Sequence, residues 1–195
     1  MEFATINLST PLQLTIDLTD DQFFELCQNN RDLKFERTAS GVLTIMSPTG
    51  GNTGRRSIKI ATQLEIWSSK TNLGEAFDSS TGFKLPNGAD RSPDASWIKR
   101  DRWDNLTPQQ QEKFLPIAPD FVVELRSASD ALKPLQNKMK EYQENGAKLG
   151  WLIDPKNQRV EIYRPDQEVE ILENPTTLSG ENVLPGFILD LTLIW

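Results

Sequence analysis

The sequence predicts an α/β or α+β chain built on a mixed β-sheet flanked by helices, with additional β-hairpins. Three observations carry that expectation. Short strand-like runs alternate with stretches of helical period from one end to the other. Turn signals separate the runs, including Asn87-Gly88 and Asp154-Pro155-Lys156-Asn157. No repeat, linker or low-complexity tract interrupts the 195 residues, a length that suits one domain with a real core. Residues 12–195 are read as that domain and residues 1–11 as a loose arm.

The elements follow in order. Leu12 to Ile16 alternates but is short. Thr19 with Gln22 forms a capping-box pattern that opens a helix through Phe23, Phe24, Leu26 and Cys27. Leu33 to Arg37 and Val42 to Met46 read as strands around Ala39-Ser40-Gly41. A breaker cluster at 47–51 precedes a helix over about 52–68, where Ile58, Ala61, Leu64 and Glu65 recur at helical spacing. Its Gly-rich entry lacks the Gly-Lys-Ser/Thr ending of a phosphate loop. Asn87-Gly88 is expected to turn a hairpin whose second arm carries Asp94 to Ile98. Thr107, Pro108 and Gln110 cap a short helix. Phe121 to Leu125 reads as a central strand, and Ala131 to Asn145 as a helix stopped by Gly146. Leu149 to Ile153 and Val160 to Tyr163 form another hairpin, and Val169 to Leu172 and Phe187 to Ile194 are expected to complete the mixed sheet.

Composition removes several chemistries. The chain has no histidine and a single cysteine, Cys27. Ser-His-Asp and Cys-His catalysis, imidazole zinc sites and an internal disulfide are therefore excluded. What remains is carboxylate, lysine, tyrosine or hydroxyl chemistry, and His-free carboxylate sites suit hard cations such as Mg²⁺ or Mn²⁺. A net charge of −7 argues against gripping nucleic acid by charge alone. No apolar stretch reaches the ~20 residues of a membrane span, and no secretory signal is visible at the start, so a cytoplasmic location is expected.

Three residues are chemically out of place. Glu124 is the one charge in the apolar run Phe121 to Leu125, and strand alternation puts it on the face of Val122. A buried carboxylate is costly unless a cation or several donors meet it; an edge strand with Glu124 in water is the plainer alternative. Asp94 follows Pro93, where a strand-end Asp is common. Lys138 borders the helical stripe of Ala131, Leu132, Leu135, Met139 and Tyr142, where a lysine often snorkels, while Lys140 projects to the far side. Together they make a site: two carboxylates can hold a divalent cation beside a phosphodiester, and a lysine can orient water or stabilise the developing charge. Tyr142, one turn after Lys138, is either a core aromatic or a hydrogen-bond donor to the site. Glu65 and Glu75 are further carboxylates for which a solvated position is the plain alternative. Arg55, Arg56 and Lys59 make a basic helix start that solubilises the chain or meets a nucleic-acid backbone.

Arg91-Ser92-Pro93-Asp94, Pro119-Asp120-Phe121-Val122-Val123-Glu124-Leu125-Arg126-Ser127, Lys138-Met139 with Glu141-Tyr142, and Gly150-Trp151-Leu152-Ile153-Asp154-Pro155 closely resemble a large family of bacterial restriction-endonuclease-like proteins within the PD-(D/E)XK nuclease superfamily. Thr81 to Pro86 and Leu184 to Phe187 add to the resemblance, which spans roughly residues 10 to 195. It implies a restriction-endonuclease-like mixed sheet flanked by helices and Mg²⁺-dependent cleavage of nucleic acid, with Asp94 and Glu124 as metal ligands. The motif lysine normally stands two residues after the acid, where this chain has Arg126. The resemblance moves that role to Lys138, and Arg126, a poor proton acceptor, is expected to bind a phosphate or a carboxylate. The expected function is a Mg²⁺- or Mn²⁺-dependent nuclease acting on DNA, with a homodimer matching the two strands of a duplex. The alternatives are a non-catalytic nucleic-acid-binding or interaction protein that keeps the fold, and a phosphotransfer enzyme acting on a small nucleotide.

Overall fold

The computed structural model describes residues 12–195; the arm expected over 1–11 lies outside the described residues. The chain begins with β1 (Leu12–Thr15), α1 (Asp20–Asn29), β2 (Lys34–Arg37) and β3 (Val42–Met46). The long helix α2 (Gly51–Thr71) leads to β4 (Gly74–Asp78), β5 (Phe83–Lys84), β6 (Asp90–Arg91) and β7 (Ala95–Lys99). Two short helices, α3 (Arg100–Asp104) and α4 (Pro108–Gln111), precede the central strand β8 (Phe121–Leu125) and the helix α5 (Leu132–Glu144). The chain ends with β9 (Leu149–Asp154), β10 (Arg159–Tyr163), β11 (Glu170–Glu173), β12 (Thr177–Ser179) and β13 (Ile188–Asp190), then a 3-10 turn over Leu191–Leu193. Both expected capping boxes form, at Thr19 with Gln22 and at Thr107 with Gln110.

The main sheet has the order β11-β10-β9-β8-β7-β4. It is mixed, because β8 pairs parallel with β9 and antiparallel with β7. One face is apolar throughout: Ala95, Trp97, Phe121, Val123, Leu125, Trp151, Ile153, Val160 and Ile162 pack under Ile60 and Leu64 of α2. The other face carries Val122, Leu152 and Tyr163 beneath Met139 and Tyr142 of α5. Strand alternation puts Glu124, Gly150 and Glu161 on that second face too. Gly150 matters there, since a side chain at that position would run into Met139 and Val122. Its absence lets α5 settle low over the sheet.

A second sheet of order β1-β3-β2-β6-β5 brings Glu36 and Arg91 to the same region. The Asn87-Gly88 turn is formed, with Gly88 at φ 92, a value that suits glycine. The expected second arm is corrected. The hairpin is only β5 with β6, and Asp94 stands just before β7, in the other sheet. Pro93 explains the break, because it offers no N–H to continue the β6 ladder. The closing segment is also corrected. β13 does not join the main sheet but pairs with β12 in a separate two-stranded sheet over the apolar face. That strand, at Thr177–Ser179, along with β4 and α3, was not expected from the sequence.

Candidate active site

β7 and β8 run antiparallel with Ala95 opposite Val123, so Asp94 falls beside the carboxyl end of β8. Two backbone bonds fix it there. The Asp94 N–H donates to the Val123 carbonyl at 3.0 Å, and the Leu125 N–H donates to Asp94 Oδ2 at 2.8 Å. The Asp94 carboxylate is therefore held against the peptide that follows Glu124. Glu124 is 4% exposed, which answers the wet-edge alternative.

Lys138 descends from α5 onto Glu124. Its Nζ lies 2.8 Å from Glu124 Oε1 and 2.6 Å from Glu36 Oε1. The Tyr142 hydroxyl donates to Glu124 Oε1 at 3.0 Å. Tyr142 is thus both core aromatic and site donor. Two of the three ammonium protons are engaged, and one remains for a ligand.

Glu36 is the residue the sequence did not reveal. It is 5% exposed and accepts from Lys138, from Arg91 Nη1 at 3.3 Å and from the Ser92 N–H at 3.1 Å. Arg91 in turn donates to Glu141 at 2.6 Å. The chain Glu141–Arg91–Glu36–Lys138–Glu124 ties the second sheet, α5 and the main sheet into one network.

Burial and charge compete at each member. Burial pushes Glu124 upward; Lys138 opposes this, Asp94 and Glu36 add to it, and its pKa reaches about 7. Burial acts the same way on Glu36, yet the Lys138 ammonium and the Arg91 guanidinium outweigh it and hold Glu36 below its usual value. Lys138 loses solvation, but the two carboxylates more than compensate and keep it firmly protonated. Burial and the same carboxylates raise Tyr142 well above the ordinary phenol.

The donor set fits a hard cation. No donor among the described residues reaches Asp94 Oδ1 or Glu124 Oε2, so each carboxylate keeps an oxygen to offer. No group of three acidic or thiol side chains forms a ready-made cage among the described residues. Mg²⁺ commonly takes one or two carboxylates and fills its octahedron with water and substrate phosphate, which matches this pair.

A family model described as "Uma2: Putative restriction endonuclease" matches residues 20–192. The chain belongs to this family. A search of solved structures finds a crystal structure described as a putative nuclease belonging to DUF820, from Anabaena variabilis. It is 21% identical, covers 91% of this chain and 98% of its own, and superposes with a TM-score of 0.74, which shows a shared fold. A comparison with curated proteins finds no match.

The remaining candidates of this Uma2 chain lie apart from the site. Glu65 is exposed on α2, on the apolar side of the sheet, and accepts from Ser69. Glu75 pairs with Ile98 at the far end of β7, four residues from Asp94 or ~13 Å, and binds Arg100. Neither carboxylate joins Asp94 and Glu124. Arg126 binds a carboxylate, donating to Asp154 Oδ2 at 2.7 Å and to the Asp130 carbonyl at 3.0 Å. Arg56 and Lys59 donate to backbone carbonyls at Ile194 and Leu193. No helix of the described residues is long and apolar enough to cross a membrane.

Proposed function

We propose that this protein hydrolyses phosphodiester bonds of DNA with Mg²⁺ or Mn²⁺ held by Asp94 and Glu124. The convergence of Asp94, Glu124 and Lys138, from the residue before β7, from β8 and from α5, carries this reading. The description of its family as a restriction endonuclease, and of its structural relative as a nuclease, supports this reading. The cation supplies a polarised phosphoryl oxygen and a more acidic bound water.

The chain's own residues do the rest. The Leu125 N–H orients Asp94 through Oδ2, and Oδ1 is the oxygen that would hold the cation. Tyr142 and Lys138 fix the rotamer of Glu124 through Oε1. Lys138, kept protonated by two carboxylates, would offer an N–H as a hydrogen bond to a phosphoryl oxygen and stabilise the growing negative charge, while the proton of the attacking water would pass to solvent. It does not serve as the base, since it has no free lone pair to accept a proton. Glu36 holds the ammonium in place beside Glu124, whose Oε2 would be the oxygen offered to the cation. A two-fold dimer would offer one such site to each strand of a duplex.

A second reading has its own observation. Lys138 is bracketed by Glu36 and Glu124, and the chain carries a net charge of −7, as a non-catalytic binding or interaction protein of this fold could. Purified protein incubated with plasmid and Mg²⁺ or Mn²⁺ separates the two. Cleavage that EDTA stops, and that falls at least a hundredfold in Asp94→Ala, is the expected result. Undiminished cutting by Asp94→Ala would defeat the assignment, and cation binding without cutting would favour the second reading.

A further inference from the structure

A cavity of about 340 Å³ lies next to this site on the same face of the main sheet. Its floor includes Leu152, the β9 residue directly across from Glu124, and Leu132 from the first turn of α5. Beyond Leu152, on β10, the register partner is Glu161. The row Glu124, Leu152, Glu161 crosses three adjacent strands, so Glu161 is ~10 Å from the catalytic carboxylate. Arg159 pairs with Asp154 and Glu173 pairs with Arg159, which puts Arg159 and Glu173 ~12 and ~16 Å from Glu124, about four nucleotide steps of ~3.4 Å.

The polar lining sorts into groups that are used up and groups that are free. Glu161 is 3% exposed, and both its oxygens are engaged by Gln136 Nε2 at 2.9 and 3.0 Å, with Tyr163 on Oε2 and Arg159 Nη2 on Oε1. Asp154 is likewise saturated, by Arg126, Asn157 and the Lys156 N–H. Both are braces. Arg159 Nε is buried and has no hydrogen-bond partner among the described residues. The Glu173 carboxylate stands 3.9 Å from it, too far for a hydrogen bond. A buried donor without an acceptor is costly, and a ligand acceptor that displaced the exposed Glu173 side chain from beside it would relieve it. The Glu173 carboxylate beside it is an acceptor free to take ligand N–H groups.

Charge decides the ligand class. Asp154, Glu161 and Glu173 outnumber Arg159 in the lining, which is therefore net negative and repels a phosphate. A neutral, flat molecule with adjacent acceptors and donors suits it, over an apolar floor of two leucines. Guanine has that pattern: O6 and N7 accept from an arginine fork, and N1–H and N2–H donate to a carboxylate. Adenine places an amino group where the arginine needs an acceptor.

We infer that this cavity is a subsite for an unpaired guanine of the substrate strand, read by Arg159 and Glu173. The inference rests on the nuclease reading for its strand and on the cavity alone for its base. A base must leave the stack to enter, so single-stranded or unpaired guanine is favoured over duplex.

The test uses the intact protein in EDTA, where nothing is cut. Fluorescence anisotropy compares labelled oligothymidylate with the same strand carrying one central G, A or C. The G strand should bind on the order of tenfold more tightly. Arg159→Ala should erase that preference, and Arg159→Lys, which keeps a cation beside Glu161, should restore only part of it while its circular-dichroism melt stays close to the parent. Saturation-transfer NMR with guanosine and adenosine reads the same site without a strand, with a guanosine signal that Arg159→Ala removes. Equal binding of all four strands, a preference that survives Arg159→Ala, or silence with guanosine each overturns the inference. Asp94→Ala should keep the guanine preference, so a protein that never cuts DNA would sink the nuclease reading and leave this subsite standing.

Discussion

The two faces of the main sheet are made by the same strands and carry opposite solutions to burial. Under α2, every inward residue of β8, β9 and β10 is apolar, and Trp151 meets Phe121 and Phe187 with ring centroids 4.7 and 6.0 Å apart. Under α5, the same strands bury Glu124 and Glu161, each satisfied by several donors. Burial of a charge costs several kcal/mol even when it is paired, and apolar residues of similar volume often do as well or better. The apolar face therefore shows what stability alone selects. The carboxylates on the other face are held there at a cost, and function is what can repay it.

The harshest way to break this contrast is to put a carboxylate on the wrong face. Val123 is fully buried between Ala95 and Trp151, and the core cluster it belongs to contains no cation to receive a charge. Val123→Glu should destabilise the protein by about 5 kcal/mol or more, enough to abolish a cooperative melt. Its neighbour Glu124 occupies the same strand at equal depth without that result. A Val123→Glu protein that melts like the parent would show that the two faces do not differ in kind.

This contrast was partly legible in the sequence. Glu124 stood out because four apolar neighbours flank it within one strand, a local signal. Lys138 and Tyr142 were found because helical period is local too. Glu36 gave no such signal: Lys34-Phe35-Glu36-Arg37 reads as an ordinary half-exposed strand, and its burial comes from the second sheet docking on α5, more than 100 residues along the chain. The Asn87-Gly88 turn was readable, but not the two-residue length of its arms, since Pro93 sends Asp94 to a different sheet. The two-stranded sheet of β12 and β13 escaped notice because three-residue strands leave too few positions for a period. The network and the guanine cavity are likewise products of tertiary pairing, not of any motif.

A milder break removes the cation that makes the polar face tolerable. Lys138→Met keeps most of the side-chain volume and leaves Glu36 and Glu124 without their shared partner. At pH 8 the expected loss is about 3–5 kcal/mol, the usual result of orphaning a buried charge. Adding Glu124→Gln should recover part of it, because the two residues touch and their effects cannot be additive. Denaturant melts of the two single variants and the double variant measure this coupling directly. Strict additivity would mean that the 2.8 Å contact carries no energy and that Lys138 merely fills space.

The gentlest probe changes only pH. Glu124 has its pKa raised to about 7 in the folded chain, chiefly by burial. An unfolded glutamate titrates near 4.3. The folded state therefore binds the proton more tightly, and the resulting stabilisation is complete below the unfolded value and is lost as pH rises through about 7. Between pH 5 and pH 8 the metal-free protein should lose about 1–3 kcal/mol from this one group. Other carboxylates pull the other way, as Asp154 does, whose salt bridge and hydrogen bonds outweigh burial and hold it low, so the raw pH profile is a sum. Glu124→Gln isolates the term: the variant cannot ionise there, and its melting temperature should gain on the parent as pH rises from 5 to 8. Equal pH profiles for parent and variant would mean that Glu124 is ionised at little cost. The polar face would then be no more strained than the apolar one, and the case for a waiting cation site would lose its electrostatic support.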